Sequence, residues 1–153
     1  MRSGDLAPDF TLDNQDGETV TLSQLLEAGP VVLFFYPAAM SSGCTKETCY
    51  FRDLASEFAA LGAQRVGISM DSVVRQQEFA SRNRLDFTLL ADSSGTVAKL
   101  YGVKRSLDVF KVKRTTFVID RDRRVLDVIH NELNMNAHAD RALTTLKAKG
   151  LAH

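Results

Sequence analysis

Hydrophobic residues along the chain follow two different periods. Residues 31–36 (Val-Val-Leu-Phe-Phe-Tyr) form an unbroken apolar run, the pattern of a strand covered on both faces. From 44 to 61 the period changes. Phe51, Leu54, Ala55, Phe58 and Leu61 recur at three- and four-residue spacing, which predicts a helix that Gly62 ends. Upstream, residues 10–12 and 19–22 flank an Asp16-Gly17 turn and predict a hairpin. Ser23 is placed to cap a short helix through Leu26, which Gly29-Pro30 terminates. Downstream, the pattern predicts a strand over 65–70 and a helix from Ser72 to Arg82. A short strand over 88–90 and a short helix over 96–101 follow. Two strands, 115–119 and 125–129, are joined through 120–123, and a closing helix over 137–149 turns Ala142, Leu143 and Leu146 inward.

The order is a hairpin, then β-α-β-α-β-α, then β-β-α. Strands alternating with helices imply a central, mostly parallel sheet with helices on both faces, and the late hairpin adds an antiparallel edge. This is an α/β sandwich. No repeat, low-complexity run or linker interrupts the 153 residues, so a single domain over 1–153 is expected, long enough to bury a core.

Composition narrows the function more than the fold. Lys+Arg and Asp+Glu balance at 19 each. Nucleic acids and membrane surfaces both select a basic excess, so neither is an expected partner. No apolar stretch of about 18 residues is present, as a membrane span would require. Residues 1–5 lack the apolar segment of a secretory peptide, and a cytoplasmic location is expected. In a reducing compartment the two cysteines, Cys44 and Cys49, read as redox-active or metal-binding before they read as a structural staple. The loop between them is too small for a disulfide to add much stability.

The chemistry concentrates in residues 35–49. A buried strand ends at Pro37, a loop follows, and Cys44 falls where the next helix begins. Helix N-termini present unpaired N–H groups and partial positive charge, which favour the nucleophilic thiolate over the thiol. Cys49 lies five residues further along. Five residues of α-helix separate two Cα atoms by roughly 8–9 Å, beyond the roughly 7 Å limit for a disulfide. An intact helix therefore keeps the thiols apart, and pairing requires the first turns to unwind.

These segments resemble the peroxiredoxins, within them the peroxiredoxin Q or bacterioferritin comigratory protein group. The family motif Pro-x-x-x-Thr-x-x-Cys is similar to Pro37, Ser41 and Cys44 here, and the 43–47 run (Gly-Cys-Thr-Lys-Glu) looks like that group's signature. Arg114, before the apolar run 115–119, matches the family's arginine, and residues 4–12 look like its N-terminal hairpin. The resemblance implies a thioredoxin-like fold and a thiol peroxidase acting on hydrogen peroxide or organic hydroperoxides. Cys44 would attack the peroxide and become a sulfenic acid. Cys49 would resolve it as a disulfide, which thioredoxin or a similar dithiol protein would reduce. Arg114 would stabilise the thiolate and donate to the peroxide. Ser41 would hydrogen-bond the peroxide, Pro37 would shape and shield the pocket, and Glu47 would orient the arginine. No cofactor is implied, and a monomer or weak homodimer is expected.

Two positions depart from the family pattern. Ser41 keeps the hydroxyl of the commoner threonine but loses the methyl that restrains χ1. Ser42 stands where this group often has proline, which leaves the loop less rigid. His130, His138 and His153 are scattered and form no four-ligand metal set with the cysteines. Residues 104–113, with Leu107, Val109 and Phe110, read as a polar loop with inward anchors or as a wall of the active site. A second functional reading is a redox sensor that uses the same cysteine switch to bind a partner.

Overall fold

The computed structural model describes residues 1–105 and 112–149. The 106–111 part of the proposed active-site wall and His153 lie outside the described residues. An N-terminal hairpin, β1 (Thr11–Asn14) and β2 (Thr19–Thr21), leads to a short α1 (Leu22–Leu25). Then come β3 (Val31–Phe35), α2 (Ser42–Asp53), α3 (Ala55–Ala60), β4 (Gln64–Ser69), α4 (Val73–Asn83), β5 (Thr88–Ala91) and α5 (Thr96–Leu100). The chain closes with β6 (Thr115–Ile119), β7 (Val125–His130) and α6 (Asn136–Ala148).

The strands form one sheet in the order β2-β1-β5-β4-β3-β6-β7. Its centre is parallel, β3 with β4 and β4 with β5, as the alternation of strands and helices predicts. Antiparallel pairing flanks this centre on both sides: β1 joins β5 there, and β6 joins β3. The sheet as a whole is therefore mixed. The arrangement is the expected thioredoxin-like α/β sandwich with an N-terminal hairpin.

Strand β3 shows how the pattern builds both layers. Val31, Leu33 and Phe35 point to one face, packing with Leu22 and Leu26 around α1 and with Val97, Ala98 and Tyr101 around α5. Val32, Phe34 and Tyr36 point to the other, under α2, α3, α4 and α6. All six residues are buried, which is why the run has no polar alternation. Phe34 stacks on Phe51 of α2 at 4.1 Å between centroids and 8° between planes.

Two boundaries differ from the sequence expectation. Ser23 does not cap α1. The helix begins one residue earlier, and the Ser23 N–H is taken by Asp9 Oδ1 at 2.9 Å, so a distant carboxylate supplies the cap. The long helix predicted over 44–61 is two helices broken at Leu54, whose φ of −98° and ψ of 21° leave the helical range. The Phe51 carbonyl, at the break, accepts from Arg65 Nη1 of β4 at 2.9 Å and from the Leu54 N–H at 3.3 Å. A strand side chain thus intrudes on the helical ladder.

Phe51→Ala should cost about 3–5 kcal/mol of stability, since it removes a fully buried ring stacked on β3. Urea unfolding checks this, and a loss under about 1 kcal/mol would show that the ring does not anchor α2.

Candidate active site

Pro37 follows Tyr36, the last residue of the buried run that begins in β3, and is itself buried. Tyr36 N–H still bonds Ile68 O of β4 at 3.1 Å, and Pro37, having no N–H, cannot extend this pairing. The loop then turns sharply. Met40 holds φ at 68°, a left-handed conformation unusual for a residue with a side chain. Asp71, just after β4, fixes the turn: its Oδ2 accepts from Ala39 N–H at 2.7 Å and from the Ser69 hydroxyl at 2.6 Å. The Ser41 hydroxyl donates to Ala38 O at 2.9 Å. Its lone pairs are what it can offer a peroxide O–H.

Helix α2 starts at Ser42, two residues before the predicted start, so Cys44 is the third residue of its first turn. Ser41 is the N-cap residue but makes no side-chain capping bond. The first-turn N–H groups, that of Cys44 among them, lack intrahelical partners. Cys44 is fully buried, and both cysteines are free thiols. Thr48 closes the same turn by donating to Cys44 O at 2.8 Å.

Arg114 reaches this turn from the residue before β6 and is almost completely buried. Its Nη1 donates to Glu47 Oε1 at 2.8 Å, and the Cys44 side chain lies near enough to favour its charge. Burial works against the guanidinium charge, but Cys44 and Glu47 outweigh it and hold Arg114 above its ordinary range. The backbone around Arg114 is pinned as well: its N–H donates to Glu132 Oε2 at 3.1 Å. Gly43 permits the approach. A Cβ there would sit 3.2 Å from Arg114 Nη2 and 3.7 Å from Met135 Sδ. Arg114 therefore joins Glu47 and packs on the turn that holds Cys44, with Ser41 and Pro37 framing the loop that leads into it.

Cys49 is placed differently. It is half-buried on α2, and its Sγ lies 3.6 Å from Asn83 Oδ1 at the end of α4. Arg52 Nη1 donates to Asn83 O at 2.7 Å, so the same corner of α4 holds two residues of α2. Both cysteines sit on one continuous helix, the geometry that forbids a direct bond.

Glu47 and His138 carry the unusual electrostatics. Burial pushes the Glu47 carboxyl up to about 7, with Arg114 only partly opposing it. Burial pushes His138 down to about 4. His138, treated from sequence as one of three scattered histidines, is fully buried on α6, and its Nδ1 lies 3.6 Å from Glu47 Oε2. Asp71, Glu132, Asn83 and His138 were all missed from sequence, because each acts through partners tens of residues away. Only Asp71 had a local signal, a carboxylate between a strand and a helix start. A surface cavity of about 740 Å³ lies away from this cluster, between Gly29-Pro30, Gly62 and residues 120–122, and neither cysteine lines it.

A buried thiol in the first turn of a helix, after a central strand and against a buried arginine, sets the chain among thioredoxin-fold thiol enzymes. The AhpC/TSA family model matches residues 3–128. The chain is 60% identical to peroxidoxin BcpB from Mycobacterium tuberculosis, whose crystal structure superposes with a TM-score of 0.93 over 97% of both chains. It is 38% identical over 148 residues to chloroplastic peroxiredoxin Q of Populus jackii, covering 97% of this chain and 69% of that one. A structure of the bacterioferritin comigratory protein of Xanthomonas campestris, studied for alkyl peroxide reduction, is 26% identical with a TM-score of 0.83 over 92% and 91% of the two chains. The chain belongs to the AhpC/TSA family, as a peroxiredoxin of the peroxiredoxin Q and bacterioferritin comigratory protein group. Among the described residues no helix is long and apolar enough to cross a membrane.

The two shifted groups pull stability in opposite directions with pH. Glu47 binds its proton more tightly folded than unfolded, so its contribution declines as pH rises from its ordinary 4.5 to about 7. His138 binds its proton less tightly folded, so its contribution grows from about pH 4 to its ordinary 6.5. Glu47→Gln removes the first effect. Its stability relative to wild type should rise between about pH 4.5 and pH 7 and then level off in urea titrations, and a constant difference would mean an ordinary carboxyl.

Proposed function

We propose that this chain is a single-domain thiol peroxidase in which Cys44 attacks the peroxide and Cys49 resolves the product. The observation that carries the reading is the packing of the buried Arg114 against the uncapped first turn of α2 that holds the fully buried Cys44, with Nη2 only 3.2 Å from where a Cβ on Gly43 would sit. The Cys44 thiolate attacks one oxygen of ROOH. An S–O bond forms as the O–O bond breaks, Cys44 becomes the sulfenic acid, and the RO⁻ that leaves takes up a proton as ROH. Charge develops on both oxygens in that step. Arg114 and the free N–H groups of the first turn face it from fixed positions, and Ser41 accepts the peroxide hydrogen.

Resolution follows by condensation of the sulfenic acid with the Cys49 thiol, which forms the disulfide and releases water. The two thiols cannot meet across about 7.5 Å of helical rise, so the turns between them unwind. The far end of α2 resists unwinding. Arg65 holds the Phe51 carbonyl, Arg52 holds Asn83, and Phe51 is stacked on β3. Unwinding is thus confined to Gly43 through Tyr50, and it exposes apolar surface where a reductant can bind. A dithiol protein such as thioredoxin then exchanges with the disulfide, restoring both thiols and becoming oxidised itself. Hydrogen peroxide and organic hydroperoxides are both substrates under this reading, and the relative from Xanthomonas campestris, studied for alkyl peroxide reduction, is in keeping with it.

Cys44→Ser should abolish steady-state peroxide consumption with a thioredoxin system while keeping the fold. Cys49→Ser should complete one turnover, seen as rapid-mix sulfenic acid formation, and then stop. A Cys44→Ser protein that still consumes peroxide catalytically sinks the assignment.

Amide exchange compared between the reduced and oxidised proteins should show protection lost over residues 45–53, whose N–H groups lie in the unwound segment or donate to its carbonyls, and retained in α3, where Phe58 N–H bonds Leu54 O at 3.1 Å. Equal protection over 45–50 in both states would contradict the switch.

A further inference from the structure

The buried pair behind Arg114 has more geometry than the mechanism above uses. Glu47 lies one turn after Cys44, fully buried, and its two carboxyl oxygens have different surroundings. Oε1 accepts from Arg114 Nη1 at 2.8 Å. Oε2 is buried without a hydrogen-bond partner. An ionised oxygen in that position would be a buried charge facing no donor, which is strongly unfavourable.

The neighbour of Oε2 does not supply the missing hydrogen. His138 Nε2 is 2.8 Å from the Asn131 carbonyl oxygen, which can only accept, so Nε2 carries the ring hydrogen. Nδ1 is 2.7 Å from Thr116 Oγ1, and in the neutral ring it is bare and accepts the hydroxyl hydrogen. A bare Nδ1 and a bare Oε2, at 3.6 Å, would set one lone pair against another. A proton on Oε2 removes this conflict: it discharges the buried oxygen and places a hydrogen, not a second lone pair, in the 3.6 Å gap to Nδ1.

The other charged groups around the pair act in both directions, and burial decides the balance. Arg114 stands on one side of Glu47, and Glu132, from the segment between β7 and α6, adds negative charge that disfavours a second carboxylate. Burial, Arg114 and His130 oppose a charged His138, and outweigh Glu132, which favours one. Arg105 and His130 engage Glu132 itself, at 3.1 Å and 2.9 Å, and reach neither Glu47 oxygen by any hydrogen bond among the described residues.

We propose that Glu47 serves as a neutral carboxylic acid, its proton held on Oε2 toward a neutral His138, so that it orients Arg114 without neutralising it. His138 is then a positioning residue for the peroxide step, acting through Glu47 and Arg114. The consequence rests on the peroxidase reading: with Glu47 uncharged, the full cation of Arg114 is available to the Cys44 sulfur and to the peroxide oxygens. An ionised Glu47 would divide that cation between two anions. The opposite displacements of the two groups, Glu47 up to about 7 and His138 down to about 4, support the assignment.

The test begins with the reduced wild-type protein and needs no turnover. Infrared difference spectra between about pH 5 and pH 9 should show one carboxylic-acid carbonyl band titrating near 7 that Glu47→Gln removes. Nitrogen NMR of the His138 ring should show Nε2 protonated and Nδ1 bare at neutral pH. A His138 imidazolium at neutral pH, or the lack of a carboxylic-acid band that Glu47→Gln removes, overturns the proposal. The kinetic arm uses the rate of Cys44 sulfenic acid formation against pH. Wild type should slow as pH passes through about 7, beyond any effect seen in Glu47→Gln, which lacks that descent. Glu47→Gln should lower the peak rate by less than about tenfold and Glu47→Ala by about a hundredfold. Equal losses in both variants, or an identical alkaline descent, would contradict the role. If the spectra place the proton on Glu47 but Cys44 does not reduce peroxide, the peroxidase reading fails and the Glu47 assignment stands.

Discussion

One guanidinium in a nearly dry pocket governs the geometry around it. Arg114 is withdrawn from water beside Cys44, and a buried cation is tolerated only where its partners are fixed. Each supporting feature answers that constraint. Glu47 orients the guanidinium plane, Glu132 holds the Arg114 backbone, and the bare Cα of Gly43 lets Nη2 pass close to the helix. The site is assembled from four places in the chain, α2, the start of β6, the β7–α6 connection and α6, because one buried charge has to be surrounded from all sides.

Helix α2 serves two ends, and its two ends differ physically. Its N-terminal turn is uncapped and follows a loop strained at Met40 and held by Asp71, so it presents donors and a thiol at one place. Its C-terminal turn is locked by Arg65, Arg52 and the stack of Phe51 on Phe34. The two ends are thus held by different contacts, the first by the Arg114–Glu47 pair and the second by β3, β4 and α4. Under the proposed mechanism the C-terminal contacts confine the rearrangement, and opening the N-terminal turns has to release Glu47 from Arg114 and Tyr50 from Asp140. Asn83 marks the boundary, since it touches Cys49 through its side chain and Arg52 through its carbonyl.

Much of the fold was legible in the sequence because it rests on local period. The unbroken apolar run of β3, the hairpin turn at Asp16-Gly17 and the capping serine of α4, which accepts from Arg75 N–H at 3.2 Å, are all local signals. The errors fell where a distant side chain intervened. Asp9 caps α1 from thirteen residues before it, and Arg65 marks the break between α2 and α3. The antiparallel seat of β6 beside β3 is likewise a tertiary choice that no period encodes. In the site, Cys44 and Cys49 were readable from their spacing on a helix after a buried strand, and Arg114, Ser41, Pro37 and Glu47 from the resemblance. His138, Asp71 and Glu132 were not, since a lone histidine in a helix and single carboxylates in loops look the same whether they face solvent or a buried cation.

The account turns on Arg114 assisting the first chemical step. The most direct measurement is the second-order rate of Cys44 oxidation by peroxide in single-turnover stopped flow, in a Cys49→Ser background, with Arg114 intact, replaced by Ala and replaced by Lys. The account predicts that Arg114→Ala slows the step by about 10²–10³, the usual cost of losing one fixed donor to developing oxygen charge. Arg114→Lys should recover little of it, because a point charge cannot engage Glu47 and Cys44 together as the planar fork does. Equal rates in all three proteins would contradict it.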